Sequence, residues 1–219
     1  MIRTKFEGEL NKLHVDLDRM CHLVTQAIEN CVTAFKTQDH QLAKDIVAGD
    51  KVINDIERSI ESRCLSLILQ QQPVASDLRD VSTALKVVTD LERIGDQSAD
   101  IAELIIELGE ENTYHMVEHI PAMAKVSTQM VELAVAAFHE HDLQKGAEVK
   151  KMDDKMDALF DEVKQELVAI VKESSQNIDL SINFLMIAKY FERIGDHAVN
   201  ICEWVEFSQT GKIHNQRLI

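Results

Sequence analysis

Carboxylate side chains recur on one face of a predicted helix between residues 92 and 103. At about 100° per residue, Glu92, Asp96, Asp100 and Glu103 fall within about 80° of arc. Carboxylates four residues apart repel each other unless a cation lies between them, and no Lys or Arg stands at that spacing. Oxygen ligands favour Mg²⁺, Ca²⁺, Mn²⁺ and iron over Cu(I). The spacing indicates a cation site, with a solvated acidic face as the alternative.

The same pattern occurs a second time, 100 residues later in the chain. "LERIGDQSADIAE" (91–103) and "FERIGDHAVNICE" (191–203) are identical at seven of thirteen positions. The second acidic face consists of Glu192, Asp196, Asn200 and Glu203. Asn200 is a neutral amide where the first copy has Asp100. A duplicated helix explains the repetition, and a cation site explains why the shared residues are polar.

Two further acidic pairs precede these helices in the chain. Asp50 and Asn54 are four residues apart, and so are Asp153 and Asp157. In an antiparallel three-helix bundle of helices about 32 residues long, the level of the first acidic face corresponds to about residues 50–57. The two acidic pairs of each half would then face each other across one groove. The predicted metal ligands are Asp50, Asn54, Glu92, Asp96, Asp100, Asp153, Asp157, Glu192, Asp196 and Asn200.

Glycine and arginine accompany both acidic faces. Gly95 and Gly195 each cost a helix up to about 1 kcal/mol relative to Ala. Either close helix approach or room for a ligand beside the backbone would offset that cost. Arg93 and Arg193 would either orient the carboxylates or remain exposed at the surface.

Apolar periodicity predicts six helices joined by short breaks. Their ranges are about 4–35, 39–71, 76–108, 121–139, 143–173 and 178–208. Pro73 ends the second helix, Ser76 is the predicted N-cap of the third, and Gly109 is its predicted C-cap. The halves align at an offset of 103 residues in the first two helices and 100 in the third. The predicted fold is all-α, with two tandem three-helix bundles (1–110 and 111–219), each with a modest core of its own.

Composition narrows the class of partner. Only 7 Gly, 2 Pro and 5% aromatic residues among 219 favour long helices over many strands. The net charge of −15 disfavours nucleic acid and anionic lipid, and favours cations or a basic protein surface. The four cysteines form no C-x-x-C pair and are predicted to be buried free thiols. With no apolar run near the roughly 18 residues of a spanning helix, we predict a cytoplasmic protein, peripheral to a membrane complex at most.

These motifs resemble one bacterial family. The two "ERIGD" segments, each followed by Glu on the same face, and "QPVASDLR" before the third helix are similar to the PhoU family of phosphate-transport regulatory proteins. The resemblance implies two three-helix bundles whose paired E(D)xxxD motifs hold metal clusters, usually iron. Three pairs match this motif: Glu92 with Asp96, Asp153 with Asp157, and Glu192 with Asp196. The pair of Asp50 and Asn54 departs from it by ending in an amide.

The resemblance also implies a regulatory adaptor rather than an enzyme. Such an adaptor would contact the ATPase of the high-affinity phosphate transporter PstSCAB (PstB) and the phosphate sensor kinase (PhoR), and would repress the Pho regulon when phosphate is ample. A homodimer is possible. Asp77 and Arg79 are candidates for a partner contact, with a first-turn helix acid as the alternative for Asp77.

Two alternatives remain open from the sequence. His14, Asp18 and His22 have a helical spacing that suits a transition metal, although a polar helix face is the commoner explanation. A metal-dependent hydrolase of phosphate esters is the alternative function, because multinuclear carboxylate sites can activate water. The chain has no H-E-x-x-H, G-x-S-x-G or E-x-x-H segment and no glycine-rich phosphate loop, which favours the adaptor.

Overall fold

The computed structural model describes residues 2–71, 73, 75–109, 117–213 and 216–217. The described residues form six α-helices, which confirms the predicted all-α class. The helices are α1 (Ile2–Thr37), α2 (His40–Gln71), α3 (Ala75–Glu107), α4 (Ile120–Glu140), α5 (Leu143–Glu173) and α6 (Ile178–Thr210). A 3₁₀ turn (Ser175–Asn177) precedes α6, and a short antiparallel hairpin, β1 (Lys212–Ile213) and β2 (Gln216–Arg217), follows it.

The predicted ends of α3 are right at one terminus and wrong at the other. Helix α3 begins at Ala75, so Ser76 lies inside its first turn rather than at the cap. Gly109 follows the helix with φ of 71°, a left-handed conformation that favours glycine. A ring nitrogen of His40, at the start of α2, lies 3.1 Å from the Gly109 carbonyl oxygen. The predicted division between residues 110 and 111 lies outside the described residues.

The ends of α1 and α4 share one backbone design. Gln38 (φ 56°) and His141 (φ 52°) follow these helices in the left-handed conformation. At α4 the next N–H, that of Asp142, donates to the Ala137 carbonyl oxygen over 3.0 Å, and the equivalent bond at the end of α1 measures 3.1 Å. This pattern is the Schellman C-terminal motif. Because Gln38 and His141 are 103 residues apart, the duplication is visible in the backbone as well as in the sequence.

The following helices are capped in a matching way. The Asp142 Oδ1 atom accepts hydrogen bonds from the backbone N–H groups of Gln144 (2.8 Å) and Lys145 (3.3 Å). The Asp39 Oδ1 atom accepts one from the Leu42 N–H over 2.9 Å. Each aspartate therefore satisfies helix donors that have no partner within the helix.

Corresponding ion pairs connect α2 to α1 and α5 to the start of α4. The Arg63 Nη2 atom of α2 lies 3.0 Å from Asp16 Oδ2 of α1. In the second half, His119 Nδ1, just before α4, lies 2.7 Å from Glu166 Oε1 of α5. The hydrogen bond to Glu166 raises the pKa of His119. Both pairs occupy equivalent positions at the offset of 103 residues, but the charges are exchanged between the helices.

Four helices form the centre of the molecule. Helix α3 packs against α6, and α1 packs against α4. Helix α2 covers α1 and α3, and α5 covers α4 and α6, so α2 and α5 are the outer helices. Near the start of α3, Arg79 Nε donates to the carbonyl oxygen of Ser208, near the end of α6, over 3.1 Å. Thr83, one turn later on α3, donates to the carbonyl oxygen of Trp204, one turn earlier on α6. Helices α3 and α6 are therefore antiparallel.

The apolar side chains of both halves belong to one contiguous core. The expectation of two separate cores is therefore wrong. Phe35 of α1 meets Phe184 of α6 edge to face, with ring centroids 5.9 Å apart. The apolar stripes of α3 and α6 are buried in this core: Val87, Leu91, Ile94, Ile101, Ile105, Leu108, Ile187, Phe191, Ile194, Ile201 and Val205. The four predicted free thiols are also buried and form no disulfide: Cys21, Cys31, Cys64 and Cys202.

No described helix combines the length and the apolar composition needed to cross a bilayer.

The left-handed residue after α4 gives a testable prediction about stability. A side chain at a positive φ is strained, whereas glycine is not, so His141→Gly should exceed His141→Ala in unfolding free energy by about 0.5–1 kcal/mol. The alanine variant also lacks the imidazole, so the difference isolates the backbone. Chemical denaturation of both variants measures it. Equal stability of the two variants would contradict the strain argument.

Candidate metal centre

The first groove lies between α2 and α3, and we define it by Asp50, Asn54, Glu57, Glu92 and Asp96. The Asn54 Nδ2 atom donates to Asp50 Oδ2 over 2.8 Å. The other side-chain oxygens of this pair, Asp50 Oδ1 and Asn54 Oδ1, are buried without a hydrogen-bond partner among the residues that the structure describes. Two orphaned oxygens beside two further carboxylates are a donor set that a cation would satisfy.

Negative charge is crowded in the first groove. Burial, followed by repulsion from Asp96 and Glu57, raises the pKa of Glu92 to about 7. Burial, and then Asp96, also raises the pKa of Asp50, although the Asn54 hydrogen bond opposes this. These shifts show that the carboxylates of α2 and α3 act on one another. A bound cation would reverse the sign of that interaction.

Glu57 is a member of the groove that the sequence prediction omitted. Burial is the main cause that raises the pKa of Glu57, and the charge of Asp96 contributes to the shift. The prediction considered only pairs four residues apart, whereas Glu57 follows Asn54 by three, a spacing that also keeps side chains on one helix face.

Arg93 contacts both carboxylates that α3 contributes to the first groove. Arg93 Nη1 is 3.2 Å from Asp96 Oδ2, and its Nε atom is 3.5 Å from Glu92 Oε2. Lys and Arg are therefore absent from this acidic face only at the four-residue spacing. The Arg93 side chain is 55% exposed, so the pair contributes at most about 1 kcal/mol. Arg193 instead lies over the Tyr190 ring, 5.9 Å from its centroid.

The second groove lies between α5 and α6, and we define it by Asp153, Asp157, Glu192 and Asp196. Burial, followed by the charges of Asp157 and Asp196, raises the pKa of Asp153 to about 6. Lys189 forms an ion pair with Glu192 through Nζ and Oε2. The duplicated sequence therefore builds a second acidic groove, but one with a lysine of its own.

The other two predicted ligands lie toward the seam between the repeats. Asn200 Nδ2 donates to Asp90 Oδ1 over 3.3 Å, and His197 Nδ1 lies 2.9 Å from the same oxygen. Asp100 hydrogen-bonds to Tyr190, which opposes the effect of burial on its raised pKa. Each four-residue step advances about 40° around a helix, so the third residue of each acidic face, Asp100 or Asn200, turns from the groove toward the other repeat. The structure does not bring Asn200 into the second groove.

The two glycines permit close helix packing. A Cβ atom at Gly95 would lie 3.1 Å from two side-chain carbons of Ile53 and 3.6 Å from Asp50 Oδ1. At Gly195 it would lie 3.3 Å from Met130 Cε. Close approach therefore accounts for both glycines. At Gly95 there is also room beside the backbone, because a cavity of about 150 Å³ borders Gly95 and Asp50.

Arg79 and Asp18, two of the candidates outside the grooves, have partners within the chain. Arg79 is the residue that donates to Ser208, and Asp77 lies in the first turn of α3. The Asp18 Oδ1 atom lies 2.5 Å from His139 Nε2 of α4, and burial lowers the pKa of His14. Across the residues that the structure describes, in the grooves as well as on α1, no three His, Cys, Asp or Glu side chains form a ready-made set of metal ligands. The His14, Asp18 and His22 spacing therefore gains no support.

An exposed apolar cleft is a further feature that the sequence prediction missed. It has a volume of about 550 Å³ and lies between the end of α5 and the start of α6. Val168, Ile178 and Ile182 line it and are roughly half exposed. Its only signal in the sequence is apolar residues on more than one side of these helices.

The PhoU domain family matches residues 17–105 and 120–205, one match for each repeat. The chain belongs to the PhoU family. The phosphate-specific transport system accessory protein PhoU homolog of Clostridium acetobutylicum is 38% identical over 213 residues, 97% of each chain. The PhoU accessory protein of Escherichia coli K12 is 30% identical over 211 residues, 96% of this chain and 88% of that one.

Solved PhoU structures have the same fold. PhoU from Pseudomonas aeruginosa superposes with a TM-score of 0.88 at 32% identity, covering 94% of this chain and 100% of that one. The phosphate transport system regulatory protein PhoU from Streptococcus pneumoniae gives a TM-score of 0.87 at 28% identity, covering 96% and 100%. The resemblance based on the doubled "ERIGD" segment is confirmed.

The raised pKa of Glu92 predicts a pH-dependent effect of its substitution. Its folded-state pKa of about 7 exceeds the reference value of 4.5, so its contribution to stability is complete below pH 4.5 and is lost as the pH rises through 7. Metal-free Glu92→Gln should therefore gain stability relative to the parent chain between about pH 5 and pH 8. Denaturant midpoints at both pH values measure the gain. Exposed Glu148→Gln is the matched control, and an equal gain there would contradict the prediction.

Proposed function

We propose that this chain is an accessory protein of phosphate transport that acts as a regulatory adaptor rather than as an enzyme. In this proposal it couples the PstSCAB transporter, through the ATPase PstB, to the sensor kinase PhoR. It thereby represses the phosphate-starvation genes when phosphate is ample. Support comes from relatives named as phosphate-specific transport accessory proteins, whose similarity extends through both repeats. The adaptor works in the cytoplasm, peripheral to the membrane complex.

The proposal includes metal binding in the grooves. The observation that carries it is the pair of buried, unpartnered oxygens, Asp50 Oδ1 and Asn54 Oδ1, beside Glu92 and Asp96. Oxygen ligands suit iron, and also manganese, magnesium, calcium or zinc. A bound ion would supply the positive charge that the crowded carboxylates lack. Ion binding would then add to apolar packing in holding the outer helices α2 and α5 against α3 and α6.

An adaptor gains from such an arrangement because its outer helices α2 and α5 each present an exposed face. The half-buried carboxylates of each groove belong to one outer and one inner helix. Their mutual repulsion opposes close packing when no ion is present. Ion occupancy would therefore adjust how α2 and α5 are presented to a partner.

Removal of groove carboxylates should abolish metal binding without unfolding the chain. The groove variant is Glu92→Gln, Asp96→Asn, Glu192→Gln and Asp196→Asn. A control with the same charge change at exposed positions is Asp55→Asn, Asp179→Asn, Glu148→Gln and Glu173→Gln. Elemental analysis of protein expressed with iron or manganese should find metal in the parent and the control only. Equal metal content in a groove variant that is folded by circular dichroism would refute the site.

Loss of this protein should leave the phosphate-starvation genes expressed in phosphate-rich medium. With a net charge of −15, its association with a basic surface of PstB or PhoR should weaken several-fold as salt rises from about 50 to 300 mM. Pull-downs across a salt series, and the mass of the free chain in solution, test the partners and a homodimer. Absence of binding to both partners at low salt, with normal phosphate control in the deletion strain, would overturn the adaptor. Phosphate-ester turnover lost in Asp96→Asn would favour a hydrolase instead.

A further inference from the structure

The two grooves differ at positions that the duplication makes equivalent. In α2 and α5, at the offset of 103 residues, Glu57 of the first groove corresponds to Phe160 beside the second. In α3 and α6, at the offset of 100, Thr89 corresponds to Lys189. The same end of the groove is therefore acidic and polar in the first half but apolar and basic in the second.

Lys189 is held in place by two contacts. Its ammonium group pairs with Glu192, whose side chain is only 15% exposed, and it lies 5.5 Å from the centroid of the Phe160 ring. A second ammonium group, that of Lys164, lies 5.0 Å from the same ring. Cations over an aromatic face and beside a carboxylate are attracted by both. Lys189 therefore gives the second groove a resident positive charge.

The first groove has no such group at the equivalent position. The Thr89 hydroxyl donates to the carbonyl oxygen of Leu85 in its own helix over 3.0 Å, and so is directed along α3. Arg93 is the cation of this groove, but it approaches from the solvent side and leaves the buried oxygens of Asp50 and Asn54 without partners. Among the described residues, no buried oxygen of the second groove is left in this state.

Space beside the grooves differs as well. The cavity of about 150 Å³ next to Asp50 and Gly95 is bordered by Ala27 of α1. The equivalent of Ala27 in α4 is Met130, whose side chain is fully buried and reaches to 3.3 Å from a Cβ position at Gly195. The methionine thus fills the space that stays open in the first half.

Ligand exposure acts in the same direction. Asp157 of the second groove is exposed, whereas its counterpart Asn54 is partly buried. Water screens exposed charges and weakens their hold on a cation. Asp157 does supply a charge that Asn54 lacks, but Lys189 offsets it.

We propose that the two grooves bind divalent cations unequally: the first binds through the Asp50 and Asn54 oxygens, which Arg93 does not occupy, whereas the second binds only after the Lys189 ammonium group is displaced from Glu192. At limiting metal the chain is then half-loaded, with the ion between α2 and α3. The inference rests on the metal binding of the proposed function and assigns Lys189 as a competing, built-in cation.

Titration of the metal-free chain with Mn²⁺ tests this inference. Calorimetry measures the binding, and electron paramagnetic resonance measures the free Mn²⁺. Together they should resolve a tight and a weak class of sites. Asp50→Asn with Asp96→Asn should remove the tight class. Asp153→Asn with Asp196→Asn should remove the weak class and leave the tight one.

Substitution of Lys189 should change only the weak class. Lys189→Thr and Lys189→Met should strengthen it by about five- to tenfold, the effect expected when a competing ion pair is removed. The reciprocal Thr89→Lys should weaken the tight class by a similar factor. Lys125→Thr, an exposed lysine on α4, is the control with the same charge change and should leave both classes unchanged.

Three outcomes would overturn the inference. They are a single class of equal sites in the parent chain, an unchanged weak class in both Lys189 variants, and an equal effect of Lys125→Thr. Each of these leaves metal binding itself intact. Absence of any Mn²⁺ or iron binding by the parent chain would instead overturn the metal proposal together with this inference.

Discussion

The antiparallel packing of α3 against α6 is the contact on which the rest of the molecule depends. Leu91 and Ile94 of α3 are fully buried in the shared core, as are their counterparts on α6. Burial of these apolar residues fixes the rotation of both helices about their axes, because each residue is set about 100° from the next. Glu92 and Asp96 are thereby turned toward α2. The positions of the carboxylates are therefore a consequence of the core.

The grooves combine two opposing effects within one helix pair. Apolar residues such as Ile53 bring α2 close to α3 at Gly95, while the carboxylates on either side of that contact repel each other. Burial has enough free energy to hold the helices together, since each large apolar side chain contributes about 1.5–3 kcal/mol. The repulsion is smaller and adjustable by protons or ions. Such a balance suits a regulatory surface, because a small change in charge acts on a helix whose attachment is otherwise secure.

Local periodicity was enough to predict the six helices, their buried stripes and the two acidic faces, because each depends on residues within a few turns. Features that depend on contact between the repeats were not predictable in the same way. The shared core, the direction of Asn200 toward Asp90 and the internal role of Arg79 follow from how α3 meets α6. Glu57 was missed for a simpler reason, since the predicted ligands were pairs four residues apart. Contact between Arg93 and the carboxylates was one of the two roles predicted for it. Propensity identifies a helix, but the neighbours of each face are set by packing.

The exchanged ion pairs between α1 and α2 and between α4 and α5 have a consequence for folding. A duplicated chain risks pairing an outer helix with the inner helix of the wrong repeat, because the apolar patterns are alike. If α5 packed on α1, Glu166 would meet Asp16, and if α2 packed on α4, Arg63 would meet the imidazole of His119. Both arrangements place like charges together and leave half-buried groups without partners. The reversal of charge after duplication therefore gives each outer helix a means of recognising its own repeat.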